Sequence, residues 1–145
     1  MSRFNYAIRI FALAYFFIPL SISNPILKPY KKEVMDIIKT HCKMGEFNNP
    51  PKQFLYFRKL KDGLIGQCGR SRLGFFYTIE IDPGQWNTLS EEEKFETITH
   101  EISHCVLMEE HVDNPTNYMY YRLVSLPKEL VIKQLLDNIK LRCGR

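Results

Sequence analysis

The chain is organised around one stretch, Thr97-Ile98-Thr99-His100-Glu101-Ile102-Ser103-His104-Cys105. On a helix, its His-Glu-x-x-His spacing places His100 and His104 one turn apart on the same face, so both imidazoles can bind one metal ion. Glu101 lies beside them, where zinc hydrolases carry the carboxylate that acts as general base. Because the motif is short and also arises by chance, the surrounding sequence has to support it.

A well-marked helix surrounds the motif. Ser90, followed three residues later by Glu93, is typical of a capping box, and acidic residues fill the first turn. Both histidines lie roughly 200° around the helix from Ile98 and Ile102, so they face a cleft or solvent. A solvated polar face is the alternative interpretation. Apolar residues recur at helical spacing and predict a buried stripe: Phe95, Ile98, Ile102, Cys105 and Val106.

His111 is the nearest candidate for the third protein ligand that catalytic zinc sites usually have. On a straight helix it would lie about 10 Å beyond His104, too far to share an ion with it. The sequence therefore predicts that the helix ends near Met108 and that the chain turns back to present His111. Asp-Asn-Pro at 113–115 ends any helix soon afterwards.

The order of these residues resembles that of the metzincin group of zinc peptidases, in which a long histidine motif is followed by a methionine turn. Here the HExxH motif is followed after six residues by His111, and then by Asn117-Tyr118-Met119-Tyr120. The chain is most similar to small bacterial metallopeptidases that read HELGHC…H…(S/N)xM. Ile79-Glu80-Ile81-Asp82-Pro83-Gly84-Gln85-Trp86 is similar to a segment upstream of their motif. The resemblance covers Gly66 to Tyr121, somewhat over a third of the chain.

The resemblance implies a zincin-like domain of the α+β class. In such a domain a short antiparallel or mixed sheet packs on the HExxH helix, with helices at both ends of the chain. Peptide substrates run along an exposed sheet edge. The implied cofactor is Zn²⁺, and its implied ligands are His100, His104 and His111.

Three further residues take roles from the same resemblance. Glu101 corresponds to the general base, and Met119 to a packing residue beneath the metal. Tyr121, two residues beyond Met119, matches a tyrosine that approaches the zinc or steadies the oxyanion in some metzincins, so it is a candidate catalytic residue. Packing is the alternative role for each tyrosine near Met119, and core filling is the alternative for Met119 itself.

Two departures from the family pattern leave the third ligand open. The step from His104 to His111 is one residue longer than in most metzincins. Met-Glu-Glu at 108–110 stands where the family has a glycine that lets the chain reverse, and these residues do not adopt a positive φ as cheaply as glycine does. The alternatives to His111 as third ligand are Glu109, Glu110 and Asp113.

Residues 1–23 predict a secretory signal peptide. Arg3 and Arg9 precede a mostly apolar run over 10–22, and Ser21-Ile22-Ser23 is a small-x-small cleavage site. This run falls short of the roughly 20 residues that span a bilayer, so an uncleaved anchor is the weaker alternative. Residues 24–145 are then expected to form a single secreted or periplasmic domain with no stable membrane anchor.

The net charge limits the classes of partner that the sequence predicts, and the cysteine content bears on the cellular compartment. The formal net charge of +4 falls to about +2 without Arg3 and Arg9, which is too mild to predict nucleic-acid binding. Four cysteines in a small exported chain predict two disulfides, with three possible pairings. These cysteines are Cys42, Cys68, Cys105 and Cys143.

The remaining sequence predicts a helix, three strands and a final helix. The first helix spans 29–43, and the strands lie within 53–82, with Asp62-Gly63 as a hairpin turn between the first two. The last helix begins after Ser125-Leu126-Pro127 and runs to about Arg142. Its expected role is to complete the core.

The sequence therefore favours an exported zinc-dependent peptidase, most simply an endopeptidase, that acts on peptides or proteins. One alternative is a non-catalytic exported binding module, stabilised by zinc or disulfides, that retains the motif as a scaffold. A chance motif in a disulfide-stabilised interaction domain is the second. The capped helix, the outward-facing histidine pair, the third histidine and the methionine turn occur in the order that favours the peptidase.

Overall fold

The structure, a computed structural model, describes residues 23–42, 52–61, 63–71 and 76–144. Within these ranges the chain is of the α+β class, as predicted. A π-helical turn, Ser103–Leu107, extends the motif helix. In chain order the elements are helix α1 (Lys28–His41), strands β1 (Lys52–Phe57), β2 (Gly66–Arg70) and β3 (Phe76–Ile81), the short helix α2 (Pro83–Trp86), the motif helix α3 (Glu91–Ile102) and helix α4 (Lys128–Cys143).

Nearly all of the predicted signal peptide, residues 1–22, lies outside the described residues. In the described part of the chain, no helix combines the length and the apolar character that crossing a bilayer requires. The signal peptide and the single mature domain stay predictions.

The motif helix begins as its sequence predicts. The Ser90 hydroxyl accepts a hydrogen bond from the Glu93 amide at 3.2 Å, and the Glu93 carboxylate accepts one from the Ser90 amide at 2.8 Å. This reciprocal pair satisfies two amides that the first helical turn leaves without partners. All five residues of the predicted apolar stripe are buried, so the prediction of which helix face enters the core is confirmed.

Helices α1, α3 and α4 contact one another and contribute to one core. Val34 and Ile38 of α1 are fully buried, as is Leu135 of α4, because each lies on the apolar side of its helix. A disulfide between Cys42 and Cys143 joins the C-terminal ends of α1 and α4. The two terminal helices thus form one support for the motif helix.

The sheet has the order β1-β3-β2, so the predicted hairpin between the first two strands is wrong. β3 pairs with β1 in parallel and with β2 in antiparallel orientation. Apolar content explains the order: β3 reads FYTIEI and is mostly buried, whereas β2 reads GQCGR and has no fully buried residue. The more apolar strand gains more from the central position.

The segment after β1 passes around the end of β3 instead of forming a hairpin. The Arg58 amide donates to the Ile81 carbonyl at 2.9 Å, and the Asp82 amide donates to the Ile65 carbonyl at 2.8 Å. Gly63, in the predicted turn, has a φ of 85°. The sequence therefore marked a turn correctly, but long-range pairing decided which strands it separates.

The Glu80 carboxylate on β3 links the three strands by hydrogen bonds. It accepts hydrogen bonds from Tyr56 of β1 at 2.6 Å, from Arg58 at 2.8 Å and from Gln67 of β2. Burial alone would raise the pKa of Glu80, but these three donors together bring it below its usual value. The charged form is therefore favoured in the folded protein.

Replacing this carboxylate by an amide tests its contribution to stability. Because the folded-state pKa of Glu80 lies below its unfolded value, its stabilisation is present at neutral pH and is lost as the pH falls through the folded pKa. We expect Glu80→Gln to lower the free energy of unfolding by about 1–2 kcal/mol at pH 7, with the gap to wild type closing below about pH 4. Urea unfolding at several pH values measures this, and Asp137→Asn, which removes an exposed carboxylate, is the control. A gap that stays constant down to pH 3 would contradict the assignment.

Candidate metal centre

The chain reverses at Met108, where the resemblance implied a glycine. Met108 adopts the left-handed conformation, with φ 55° and ψ 36°. The amides of Met108 and Glu109 both donate to the Ser103 carbonyl and so close the end of the helix. The predicted end of the helix near Met108 is confirmed, and the turn forms at the cost of a conformation that only glycine adopts freely.

The returning segment is closed by its own hydrogen bonds. The Val112 amide donates to the Met119 carbonyl at 3.0 Å. Asn114 and Asn117 accept from amides two residues later, at 3.0 and 2.8 Å, and form the small turns that asparagine favours. Met119 is fully buried at the base of this segment. The loop therefore returns His111 towards the motif helix.

The three histidine side chains meet at their Nε2 atoms. The separations are 3.0 Å between His100 and His104, 3.2 Å between His100 and His111, and 3.1 Å between His104 and His111. Ligand atoms around a tetrahedral ion with bonds of about 2.0–2.1 Å lie about 3.3–3.4 Å apart. This group can therefore hold a metal ion.

Two backbone carbonyls determine which nitrogen of each paired histidine faces the centre. His100 Nδ1 donates to the Tyr118 carbonyl at 2.7 Å, and His104 Nδ1 donates to the Glu109 carbonyl at 2.6 Å. A carbonyl oxygen only accepts, so in each ring the proton is on Nδ1 and the Nε2 lone pair points inward. Second partners of this kind are typical of metal-binding histidines.

Electrostatics also favour a cation in this place. Burial, opposed by the Tyr118 hydrogen bond and assisted by the other two histidines, lowers the pKa of His100 to about 4. His111 is exposed at the rim, but partial desolvation of its ring and the neighbouring His104 lower its pKa as well. Neutral imidazoles are the ligating form, and inward-pointing lone pairs about 3 Å apart repel each other unless a cation lies between them.

The acidic alternatives to His111 are not part of this group. The Glu109 carboxylate pairs with the Arg142 guanidinium at 3.0 Å, and only its backbone carbonyl approaches His104. Glu110 and Asp113 are exposed. Among the described residues, the side chains within ligating distance of one another are the three histidines.

Glu101 is a buried carboxylate beside the histidines. Its side chain is 6 % exposed, and its Oε2 atom has no hydrogen-bond partner among the described residues. Burial raises the pKa of Glu101 to about 8. A cation held by the adjacent histidines would act in the opposite direction, because a nearby positive charge favours the ionised form.

One open cleft of about 690 Å³ is lined by all three histidines and by Glu101. The segment from Leu64 to Cys68, which includes the start of strand β2, also lines this cleft. Tyr121 also lines the cleft and is 53 % exposed, in contact with the Tyr120 ring. Its position at the rim is compatible with substrate contact, and its catalytic role stays a prediction.

Sequence reasoning missed the support that helix α4 gives to the site. The Tyr118 amide donates to Gln134 at 3.0 Å, and the buried Tyr118 hydroxyl contacts Ser103 at 3.1 Å and Asn138 at 3.0 Å. These contacts hold the residue whose carbonyl orients His100. The one sequence signal is the i, i+4 spacing of Gln134 and Asn138 on α4, which places both on one polar strip.

No protein-family model, curated protein or solved structure matches this chain. The likeness to metzincins therefore depends on the order of the motif residues alone. The side-chain geometry shows independently of that order that the three histidines could hold a metal ion. Membership of the metzincin family stays a prediction.

The left-handed turn residue provides a stability test. We expect Met108→Gly to raise the free energy of unfolding by about 0.5–1 kcal/mol, since glycine removes strain of about 1–2 kcal/mol but loses more backbone entropy on folding. Met108→Ala keeps the strain and removes the half-exposed side chain, so it is the matched control for urea denaturation. A glycine variant no more stable than the alanine variant would rule out strain at this position.

Metal titration tests the three-histidine group. We expect about one Zn²⁺ per chain, and a loss of affinity of at least about a hundredfold in His111→Ala. Removing a group that only hydrogen-bonds to a ligand already costs about 10–100-fold, and removing the ligand itself costs more. His41→Ala is the control, since His41 is exposed at the end of α1. Isothermal titration calorimetry measures both. Equal affinities in the two variants would exclude His111 as a ligand.

Proposed function

We propose that the protein is an exported zinc-dependent peptidase. One observation carries the proposal: the three histidines whose Nε2 atoms converge and the largely buried Glu101 all line one open cleft. A site that served only to stabilise the fold would be closed by a fourth ligand, whereas catalytic zinc keeps an open position.

Zinc is the ion that best suits this donor set. Three neutral imidazoles bind Zn²⁺ well, and three histidines form the ligand set of known catalytic zinc sites. His100, His104 and His111 would be the ligands, with the Tyr118 and Glu109 carbonyls as their second partners. When bound, zinc lowers the pKa of a coordinated water towards about 7 and polarises a substrate carbonyl.

Glu101 would transfer the proton. Its carboxylate adjoins the histidines and is shielded from bulk water, so its basicity is not weakened by solvation. As general base it takes a proton from the attacking water. As general acid it then gives that proton to the amine nitrogen as the peptide bond breaks. No hydrogen bond from the described residues holds its Oε2 atom.

The strand at the cleft wall supports a polypeptide as the substrate. Among the described residues β2 pairs with β3 alone, so its outer edge has no strand partner. An extended peptide can pair with such an edge through main-chain hydrogen bonds, which give affinity without demanding a particular sequence. Leu64 and Tyr121 are exposed at the cleft and offer apolar surface to substrate side chains.

The disulfides support an oxidising compartment for this activity. Cys42 pairs with Cys143 and Cys68 with Cys105, which accounts for all four cysteines. Such bonds persist in periplasmic and extracellular settings. Together with the predicted signal peptide, they support secretion or export to a periplasm.

The decisive experiment replaces the general base without disturbing the metal ligands. We expect Glu101→Gln to reduce hydrolysis of a denatured-protein pool by at least about 10²–10⁴-fold while zinc stoichiometry stays at about one per chain. Peptide release is measured by mass spectrometry and zinc by elemental analysis. Glu92→Gln, the same change at an exposed position of the same helix, is the control.

The outcomes separate the proposal from its alternative. A Glu101→Gln variant as active as wild type would exclude this mechanism. A wild-type chain that binds zinc but releases no peptide from any unfolded protein would instead be a non-catalytic zinc-stabilised module. The first result would exclude Glu101 as the general base, and the second would exclude peptidase activity.

A further inference from the structure

We propose that strand β2 is attached to the motif helix at two points and that this attachment positions the Glu101 carboxylate. The two points are Gly66, which packs against Glu101, and the disulfide between Cys68 and Cys105. We call them together the β2 anchor. The inference rests on the proposed function for its catalytic consequence, but the anchor itself can be tested without any activity.

Gly66 leaves the space that Glu101 occupies. A Cβ atom at position 66 would lie 2.9 Å from both Cγ and Oε1 of Glu101, and 3.1 Å from its Cδ. Carbon atoms pack comfortably at about 3.5–4.0 Å, so any larger residue would displace the carboxylate. Oε2 has no hydrogen-bond partner among the described residues, so packing of Cγ, Cδ and Oε1 against Gly66 is one restriction on this side chain.

The disulfide keeps the strand at this distance. Cys68 lies two residues after Gly66 and therefore on the same face of β2, which is the face directed at the helix. Its partner Cys105 directly follows His104 and is fully buried. β2 is an edge strand with only β3 beside it in the described residues. The disulfide therefore gives this edge strand a second attachment, in addition to its pairing with β3.

The second disulfide offers a matched comparison. The Cys42–Cys143 bond joins the ends of α1 and α4, and none of its residues lines the cleft. It spans 101 residues of sequence, whereas the Cys68–Cys105 bond spans 37. Since the loss of stability grows with the length of the closed loop, the remote bond should matter more for stability and less for the site.

The first experiment compares the two disulfides. In Cys68→Ala/Cys105→Ala we expect faster hydrogen exchange of the amides at 66–70 and a kcat lower by about tenfold to a hundredfold, as misplacement of a catalytic group causes. Zinc stoichiometry should stay at about one. In Cys42→Ala/Cys143→Ala, assayed well below its melting temperature, we expect the larger fall in melting temperature but wild-type exchange at 66–70 and wild-type kcat.

The second experiment moves Glu101 without breaking a bond. We expect Gly66→Ala to lower kcat by about tenfold or more, with zinc affinity and melting temperature close to wild type. The three atoms nearest to the added methyl group all belong to Glu101 and none to a histidine. Gly69→Ala is the control, because a Cβ there meets the Thr78 hydroxyl and not the site. If the Cys68→Ala/Cys105→Ala variant does not fold, Gly66→Ala still tests whether β2 positions Glu101.

The results that overturn the inference differ from those that overturn the proposed function. If the wild type releases peptides and Glu101→Gln does not, wild-type kcat in Gly66→Ala excludes a positioning role for Gly66. Unchanged exchange at 66–70 after loss of the Cys68–Cys105 bond excludes the anchor. If the wild type releases no peptide, the peptidase proposal fails, and the exchange comparison still decides whether the disulfide holds β2.

Discussion

Two hydrogen bonds from histidine Nδ1 atoms to backbone carbonyls underlie the whole site. The carbonyls of Tyr118 and Glu109 turn the Nε2 lone pairs of His100 and His104 towards each other. Both carbonyls belong to the segment that follows the motif helix, so the same segment that supplies His111 also orients the other two imidazoles. The site therefore forms only when this segment folds back.

The rest of the structure holds that segment in place. The left-handed conformation of Met108 reverses the chain, and Gln134 and Asn138 of the last helix hold Tyr118. A metal ion bound by His111 would add to the same network, because binding that requires the folded loop also stabilises it. A change that destabilises the folded loop should therefore also weaken metal binding.

Glu101 and Glu80 are equally buried, but their carboxylates differ in hydrogen bonding. A carboxylate buried between the helix and β2, with one oxygen lacking a partner, is unfavourable in a protein that uses it for packing alone. Glu80, equally buried on strand β3, has three donors and a lowered pKa. Two glutamates 21 residues apart thus differ in their partners: the Glu80 carboxylate is held by three donors, and Oε2 of Glu101 has none among the described residues.

By itself, the sequence determined the features that depend on neighbours along the chain. The capping box at Ser90, the buried stripe of α3, the end of the helix near Met108 and the candidate ligand His111 all follow from spacing and helix geometry. Only the tertiary structure decided the strand order, the cysteine pairing, the conformation of Met108 and the support of Tyr118 by α4. The reason is physical: short-range hydrogen bonds and helical periodicity act within a few residues, whereas these other features depend on which distant surfaces exclude water together.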